Sequence, residues 1–282
     1  MSDKKVLLVT GASKGIGLEI VLAGLDGGYT VVGTSRNAQK LEEAVATARP
    51  ELTDNFTGVS MAFDENSIQT TVVAIIERFG RLDVLVNNAG YGIFGALEEF
   101  SLAEVKRNFD VNVFGLLAVM QAILPQMRTQ KSGHIVNLAS ISGTVTGPTQ
   151  SIYSATKASV IMMSEALAEE VAPFNIQVTA ICPGGVRTDF LDASSMRRPQ
   201  KELADYQVVR RTMEGLNRLN GNQSGDPKRV AQAILEVAEM EQAPRRLYLN
   251  SGAVAGLQHK IQELVQEANQ YMELSLSTDS QE

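Results

Sequence analysis

The chain has one cysteine, no tryptophan and two histidines in 282 residues, and each scarcity removes a class of protein. A lone thiol, Cys182, cannot build a disulfide framework, and His134 and His259 leave too few ligands for a metal site. Cys182 reads as a small apolar residue near a strand end, and a reduced, cytoplasmic setting is expected. There is no basic excess: 25 Lys and Arg stand against 32 Asp and Glu, for a formal net charge of −7. That balance argues against a nucleic-acid partner. No apolar run reaches the ~18–20 residues needed to span a bilayer. The first apolar run, Val6 to Thr10, passes straight into a glycine turn, so no secretory signal is expected. Neither an internal repeat nor a long linker is visible. The 44% hydrophobic content suffices for one large core. A single α/β domain over residues 1–274 is therefore expected, with a Ser-, Thr-, Gln- and acid-rich mobile tail over 275–282.

Short β-branched runs alternate with longer helical patterns. Strands are expected at Val6–Thr10, Thr30–Thr34, Thr57–Ala62, Leu82–Val86, His134–Ala139, Ile176–Ile181 and Arg246–Asn250. Helices are expected at Ile16–Asp26, Ala38–Ala48, Ser67–Phe79, about Val105–Arg128, Tyr153–Ala172 and Pro227–Ala238. Pro125 should kink or end the fourth of these. Strand–helix alternation implies a parallel sheet with helices on both faces, a doubly wound arrangement. Gly11, Arg36, Asp64, Asn87 to Gly90, Ser140 and Pro183-Gly184 each follow a predicted strand. In a parallel sheet those positions share one edge, where such sheets bind ligands.

Thr10-Gly-Ala-Ser-Lys-Gly-Ile-Gly17 joins the first strand to the first helix. Gly11 permits the sharp turn, Gly15 lets the backbone approach a pyrophosphate, and Gly17 allows close helix–strand packing. Ser13, Lys14 and Ile16 complete this turn, and the helix N-terminus offers N–H groups to phosphates. The second strand ends in Ser35-Arg36, where an acid would bind the ribose 2′-OH of NAD. No acid is present, and Arg36 and Lys14 both suit a 2′-phosphate. NADP(H) is the expected cofactor.

Tyr153 and Lys157 are one helical turn apart on one face, with Ser140 upstream. An ammonium beside a phenol stabilises the phenolate, so the tyrosine pKa is expected to fall towards neutrality. A drop of roughly 3 units needs ~4 kcal/mol of differential stabilisation.

With these residues in view, the chain resembles a short-chain dehydrogenase/reductase from about Lys5 to Asp189. The resemblance rests on Thr10–Gly17, the Asn87-Asn88-Ala89-Gly90 turn, Asn112, Ser140 with Tyr153-x-x-x-Lys157, and Pro183-Gly-Gly-Val-Arg-Thr-Asp189. It implies a Rossmann fold with Tyr153 as catalytic acid/base. Lys157 would lower its pKa and bond the nicotinamide ribose, while Ser140 holds the substrate oxygen. The Asn112 backbone carbonyl would bind a water linking Lys157 to solvent. Asp64 would contact adenine, Asn87 to Gly90 would line the cofactor, and Pro183, Gly184, Val186 and Thr188 would cover the nicotinamide.

Residues 189–226 mix Phe190, Leu191, Met196, Met213 and Leu216 with several arginines, an amphipathic pattern that predicts a substrate lid. Its cations suit either a solvated face or an anionic substrate group. A further helix is expected over 252–274, with Leu257, Ile261, Leu264, Val265 and Ala268 on one face. This resembles the longer hydroxysteroid- and retinol-dehydrogenase-like branch, and the family pattern implies a homodimer or homotetramer. The expected function is NADPH-dependent reduction of a ketone or aldehyde, reversible as alcohol oxidation. An NADP(H)-binding redox-sensing regulator is the alternative; intact Ser140, Tyr153 and Lys157 favour the enzyme.

Overall fold

The computed structural model describes residues 4–280. In chain order its elements are β1 (Val6–Val9), α1 (Gly15–Asp26), β2 (Thr30–Ser35), α2 (Ala38–Ala48), β3 (Phe56–Ser60), α3 (Glu65–Phe79) and β4 (Val84–Asn87). They continue with β5 (Gly92–Ile93), α4 (Leu102–Phe109), α5 (Leu116–Gln130), β6 (Gly133–Leu138), α6 (Ser151–Val171) and β7 (Ile176–Pro183). Last come β8 (Met196–Arg197), α7 (Gln207–Leu219), α8 (Pro227–Ala238), β9 (Arg246–Leu249), α9 (Ser251–Gln270) and α10 (Met272–Leu276). Seven strands form one parallel sheet in the order β3-β2-β1-β4-β6-β7-β9. This is the expected doubly wound Rossmann sheet. The order reverses between β1 and β4, so the loops after those strands diverge and leave a crevice at the sheet's C-terminal edge.

Strand side chains alternate between two apolar layers. Leu8, Val32, Leu85 and Ile135 join α3, α5 and α6 on one face. Leu7, Val9, Val31 and Val86 join α1, α2 and α8 on the other. Both faces are dry, which is why the strands read as continuous hydrophobic runs.

The expected helix at about Val105–Arg128 is two helices, α4 and α5, joined by a π-helical turn at Asp110–Gly115. The extra residue turns Asn112 inward, where it is 1% exposed. Together Leu102–Gln130 is long and apolar enough to cross a membrane by length and composition, contrary to the absence of such a run expected from the sequence. Here Leu116, Val119, Met120, Ile123 and Met127 instead pack into the core. Pro125 neither ends nor terminates α5, which runs on to Gln130. Pro125 and Gln121 are both exposed, on the solvent side of α5. Gln130 then pins the helix end by bonding both Leu82 N (2.9 Å) and Leu82 O (2.9 Å).

Residues 189–226, where a lid was expected, contain α7 and the short strand β8, which pairs with β5. Helix α9 packs only through its first turns, with Ala253 buried; Ile261, Leu264 and Val265 are exposed. The chain is still helical at Leu276, past the Ser275 where the tail was expected to start, and residues 281 and 282 lie outside the described residues.

Candidate active site

The glycine turn is held open by its neighbours. Gly11 (φ +65°) and Gly15 (φ +58°) occupy the left-handed region that favours glycine. A Cβ at Gly11 would lie 2.7 Å from Ala89 Cα, and one at Gly17 only 2.5 Å from Gly11 O. Asn88 Nδ2 donates to Thr10 O (3.0 Å) and Gly11 O (2.9 Å), while Thr10 Oγ1 accepts from Asn88 N and Ala89 N. The loops after β1 and β4 therefore form one rigid floor. No side chain caps the start of α1, which leaves its N–H groups to a phosphate.

The crevice over this floor measures about 590 Å³. Its wall brings together Gly11, Ser13, Lys14, Gly15, Ile16, Ser35, Arg36, Asn88, Ala89, Gly90, Ser140, Tyr153, Lys157, Pro183, Gly184, Val186 and Thr188. Four expected residues lie behind or beside the wall. Gly17 is buried in the helix start, as its packing role requires. Asn87 is buried and donates to Asn137 Oδ1 at 2.9 Å. The Asn112 side chain ties down the turn after Gly90, accepting from Tyr91 N (3.0 Å) and donating to Tyr91 O (2.9 Å). Asp64 is the N-cap of α3, its carboxylate accepting from Ser67 N at 2.9 Å. Met61, Ala62 and Phe63 line the crevice there instead. An Asp three residues before a Ser at a helix start is a capping signal, and Asp64 fills that role here.

Lys14 Nζ reaches Ser194 Oγ (2.5 Å), so the segment after the 3₁₀ turn at Asp189–Leu191 meets the glycine turn. Arg36 is exposed on the crevice wall at the end of β2. The Ser35 hydroxyl is engaged by its own turn, bonding Asn37 O (2.6 Å) and Asn37 N (3.1 Å).

At the opposite end, the Tyr153 ring lies between Phe94 (5.5 Å between centroids) and Phe190 (5.7 Å). Met196, Val209 and Met213 of the lid close the same apolar cluster. Ser140 lines the crevice beside the phenol, and its Oγ accepts from Ser142 N at 3.1 Å. Lys157 Nζ donates to Leu138 O at 2.6 Å. Burial pushes the Tyr153 pKa up to about 12, opposed by the neighbouring Ser140. Burial likewise brings Lys157 down to about 8. The expected fall of the tyrosine pKa is thus reversed: desolvation of the phenolate outweighs an ammonium lying 5.9 Å from the ring centroid.

Tyr91, Phe94, Gln150 and Gln223 also line the crevice and were not foreseen. Only Tyr91 carried a signal, since it directly follows the Asn87–Gly90 turn. The fit to a dinucleotide rests on the two left-handed glycines, the uncapped helix start and a crevice running from Arg36 to Tyr153.

The short chain dehydrogenase family model matches residues 5–199. Oxidoreductase BOA17 of Botryotinia fuckeliana is 33% identical over 97% of this chain and 99% of its own length. A short-chain dehydrogenase from Streptomyces avermitilis superposes with a TM-score of 0.90 at 37% identity, covering 99% of this chain and 100% of that one. ElxO, solved with NADP bound, gives a TM-score of 0.75 at 27% identity over 89% and 99% of the two chains. Sequence, sheet order and site agree, and the chain belongs to the short-chain dehydrogenase family of oxidoreductases.

Proposed function

We propose that the protein is an NADPH-dependent reductase of a ketone or aldehyde. The observation that carries this reading is the placement of Tyr153 and Lys157, both buried and one helical turn apart, with Ser140 on a crevice wall shared with the glycine turn and Arg36. A reduced nicotinamide bound in the crevice supplies hydride to the carbonyl carbon. Ser140 holds the carbonyl oxygen by a hydrogen bond that strengthens as charge builds there. Tyr153 gives that oxygen its proton, yielding the alcohol. Lys157 keeps a positive charge next to the phenol and is itself fixed by Leu138 O.

Arg36 and Lys14, with no acid at the end of β2, favour a 2′-phosphate, in keeping with the NADP held by ElxO. The walls beyond Tyr153 are Phe94, Phe190, Leu191, Leu216 and Leu219, so the substrate carbonyl is carried on an apolar body. The exposed apolar residues Phe114 and Met162, together with those of α9, fit a homo-oligomer. Following NADPH and NADH oxidation across aldehydes, bulky ketones and ketoacyl thioesters tests the proposal. Turnover with NADPH supports it. Tight NADPH binding without turnover on any carbonyl would favour a redox-sensing regulator.

A further inference from the structure

Residues 189–226 carry six cations, Arg197, Arg198, Lys201, Arg210, Arg211 and Arg218, whose pattern suits either a solvated face or an anionic group. Their placement separates them. Arg210 is paired with Glu99, and Arg198 Nη2 donates to Asn217 Oδ1 at 3.2 Å. Of the six, Arg197 alone lines the crevice. Its guanidinium is exposed and has neither an ion-pair partner nor a hydrogen bond among the described residues. It lies instead over the ring of Tyr91, with the guanidinium carbon 4.6 Å from the centroid.

Both halves of this stack have fixed backbones. Gly92 N donates to Ser195 O (2.9 Å) and Phe94 N to Arg197 O (2.9 Å), which holds β8 on β5 with Ile93 opposite Arg197. Tyr91 N donates to Asn112 Oδ1 (3.0 Å), and Tyr91 O accepts from Asn108 Nδ2 (2.9 Å). A ring against a guanidinium restrains its plane and leaves its N–H edge open, the edge that grips a carboxylate through two parallel bonds. Phe94, directly after β5, packs against Tyr153 at 5.5 Å between centroids. The cation therefore stands at a set remove from the proton donor, on a wall made apolar by Phe94, Phe190 and Leu216. Asp189 is the one acid among the residues lining the crevice, and it is not paired with Arg197.

We infer that Arg197 binds a carboxylate carried by the substrate, an assignment that rests on the reductase reading and deepens it. The substrate class is then an oxo acid, a ketone or aldehyde joined through a hydrocarbon spacer to an ionised carboxyl group. Its carbonyl meets Tyr153 and Ser140, its spacer lies on the apolar wall, and its carboxylate reaches the open edge of Arg197. The carboxylate does not change during hydride transfer, so this contact is equally strong before and in the transition state. It therefore lowers KM and leaves kcat nearly as it was.

Steady-state NADPH oxidation by the full-length protein tests this on oxo acids of graded chain length, each paired with its methyl ester. At the best spacer length the wild type should show a kcat/KM for the acid roughly 10–100-fold above that for the ester, as a charge-assisted hydrogen bond predicts, with the difference in KM. The preference should shrink as salt is raised. In Arg197→Met, which keeps an apolar stem against Tyr91, the preference should vanish while ester turnover stays within about threefold of wild type. Arg197→Glu should reverse it and gives the same comparison if the methionine variant fails to fold. A preference that survives both substitutions would overturn the assignment, as would an equal loss on acid and ester, which marks a structural role for the stack. Wild-type reduction of neutral carbonyls with no gain from a carboxylate at any spacer length would refute the role of Arg197 alone. A wild type that reduces no carbonyl would refute the reductase reading itself, and the assignment with it.

Discussion

Lys157 Nζ lies 5.9 Å from the centroid of the Tyr153 ring while donating at 2.6 Å to Leu138 O, and both side chains are only 6% exposed. The two groups share one dry pocket, so each resists its charged form. For the ammonium this has a definite sign. Its pKa falls from 10.5 to about 8, so its burial cost is present below pH 8 and is relieved as pH rises from 8 to 10.5. Catalysis runs the other way, because the proton donor needs the positive charge beside it. The kcat/KM for carbonyl reduction should therefore decline above about pH 8, measured as a pH–rate profile with saturating NADPH. In Lys157→Arg the residual activity should keep its plateau beyond that pH, since guanidinium does not titrate there.

Arg36 sets cofactor choice in this account. Arg36→Leu should weaken NADPH roughly 10–100-fold, the worth of a charge-assisted hydrogen bond, and leave NADH within a factor of about two. Equal losses for both cofactors in a binding titration would remove Arg36 from 2′-phosphate recognition.

Helix α7 is tied to the segment before α4 through a buried carboxylate. Glu99 is 2% exposed, accepts from Ala96 N (2.8 Å) and Leu203 N (2.7 Å), and is paired with Arg210 of α7. Removing Arg210 leaves that charge uncompensated. Arg210→Ala should cost about 3 kcal/mol in chemical denaturation and speed proteolytic cleavage within residues 198–220. Glu99→Gln in the same background should recover part of the stability, because the neutral amide no longer demands a cation.

His134 on β6 is buried, with Nε2 3.0 Å from Thr179 Oγ1, and burial lowers its pKa from 6.5 to about 4. A lowered pKa means that the unfolded chain takes up the proton first. Stability should fall as pH drops from 6.5 towards 4, by up to about 3 kcal/mol from this group. His134→Gln should flatten that acid limb in denaturation curves measured between pH 7 and pH 5.

The sheet was legible in the sequence because buried parallel strands are short β-branched runs separated by helical periods, and all seven fall where those runs lie. Helices α2 and α8 match the expected bounds at both ends. The glycine turn, Ser140, Tyr153 and Lys157 were legible for a related reason: each chemistry sits at a strand end or one helical turn apart. Other features depend on contacts the sequence does not display. The capping bond of Asp64 to Ser67 N is one such feature, visible only in the fold. The π turn shifts Asn112 by one residue of phase inside an otherwise continuous apolar period. The direction of the Tyr153 shift follows from Phe94 and Phe190, which are 59 and 37 positions away and meet only in the folded chain. Gln223 has no motif around it; its place comes from Gly185 across the crevice.

The central claim is that the Tyr153 phenol delivers the proton. Tyr153→Phe removes one oxygen from a ring whose packing against Phe94 and Phe190 is otherwise kept. NADPH oxidation with the best carbonyl substrate should fall by about 10³-fold or more, while the NADPH dissociation constant stays within about threefold. Turnover retained within about tenfold of wild type would contradict the account.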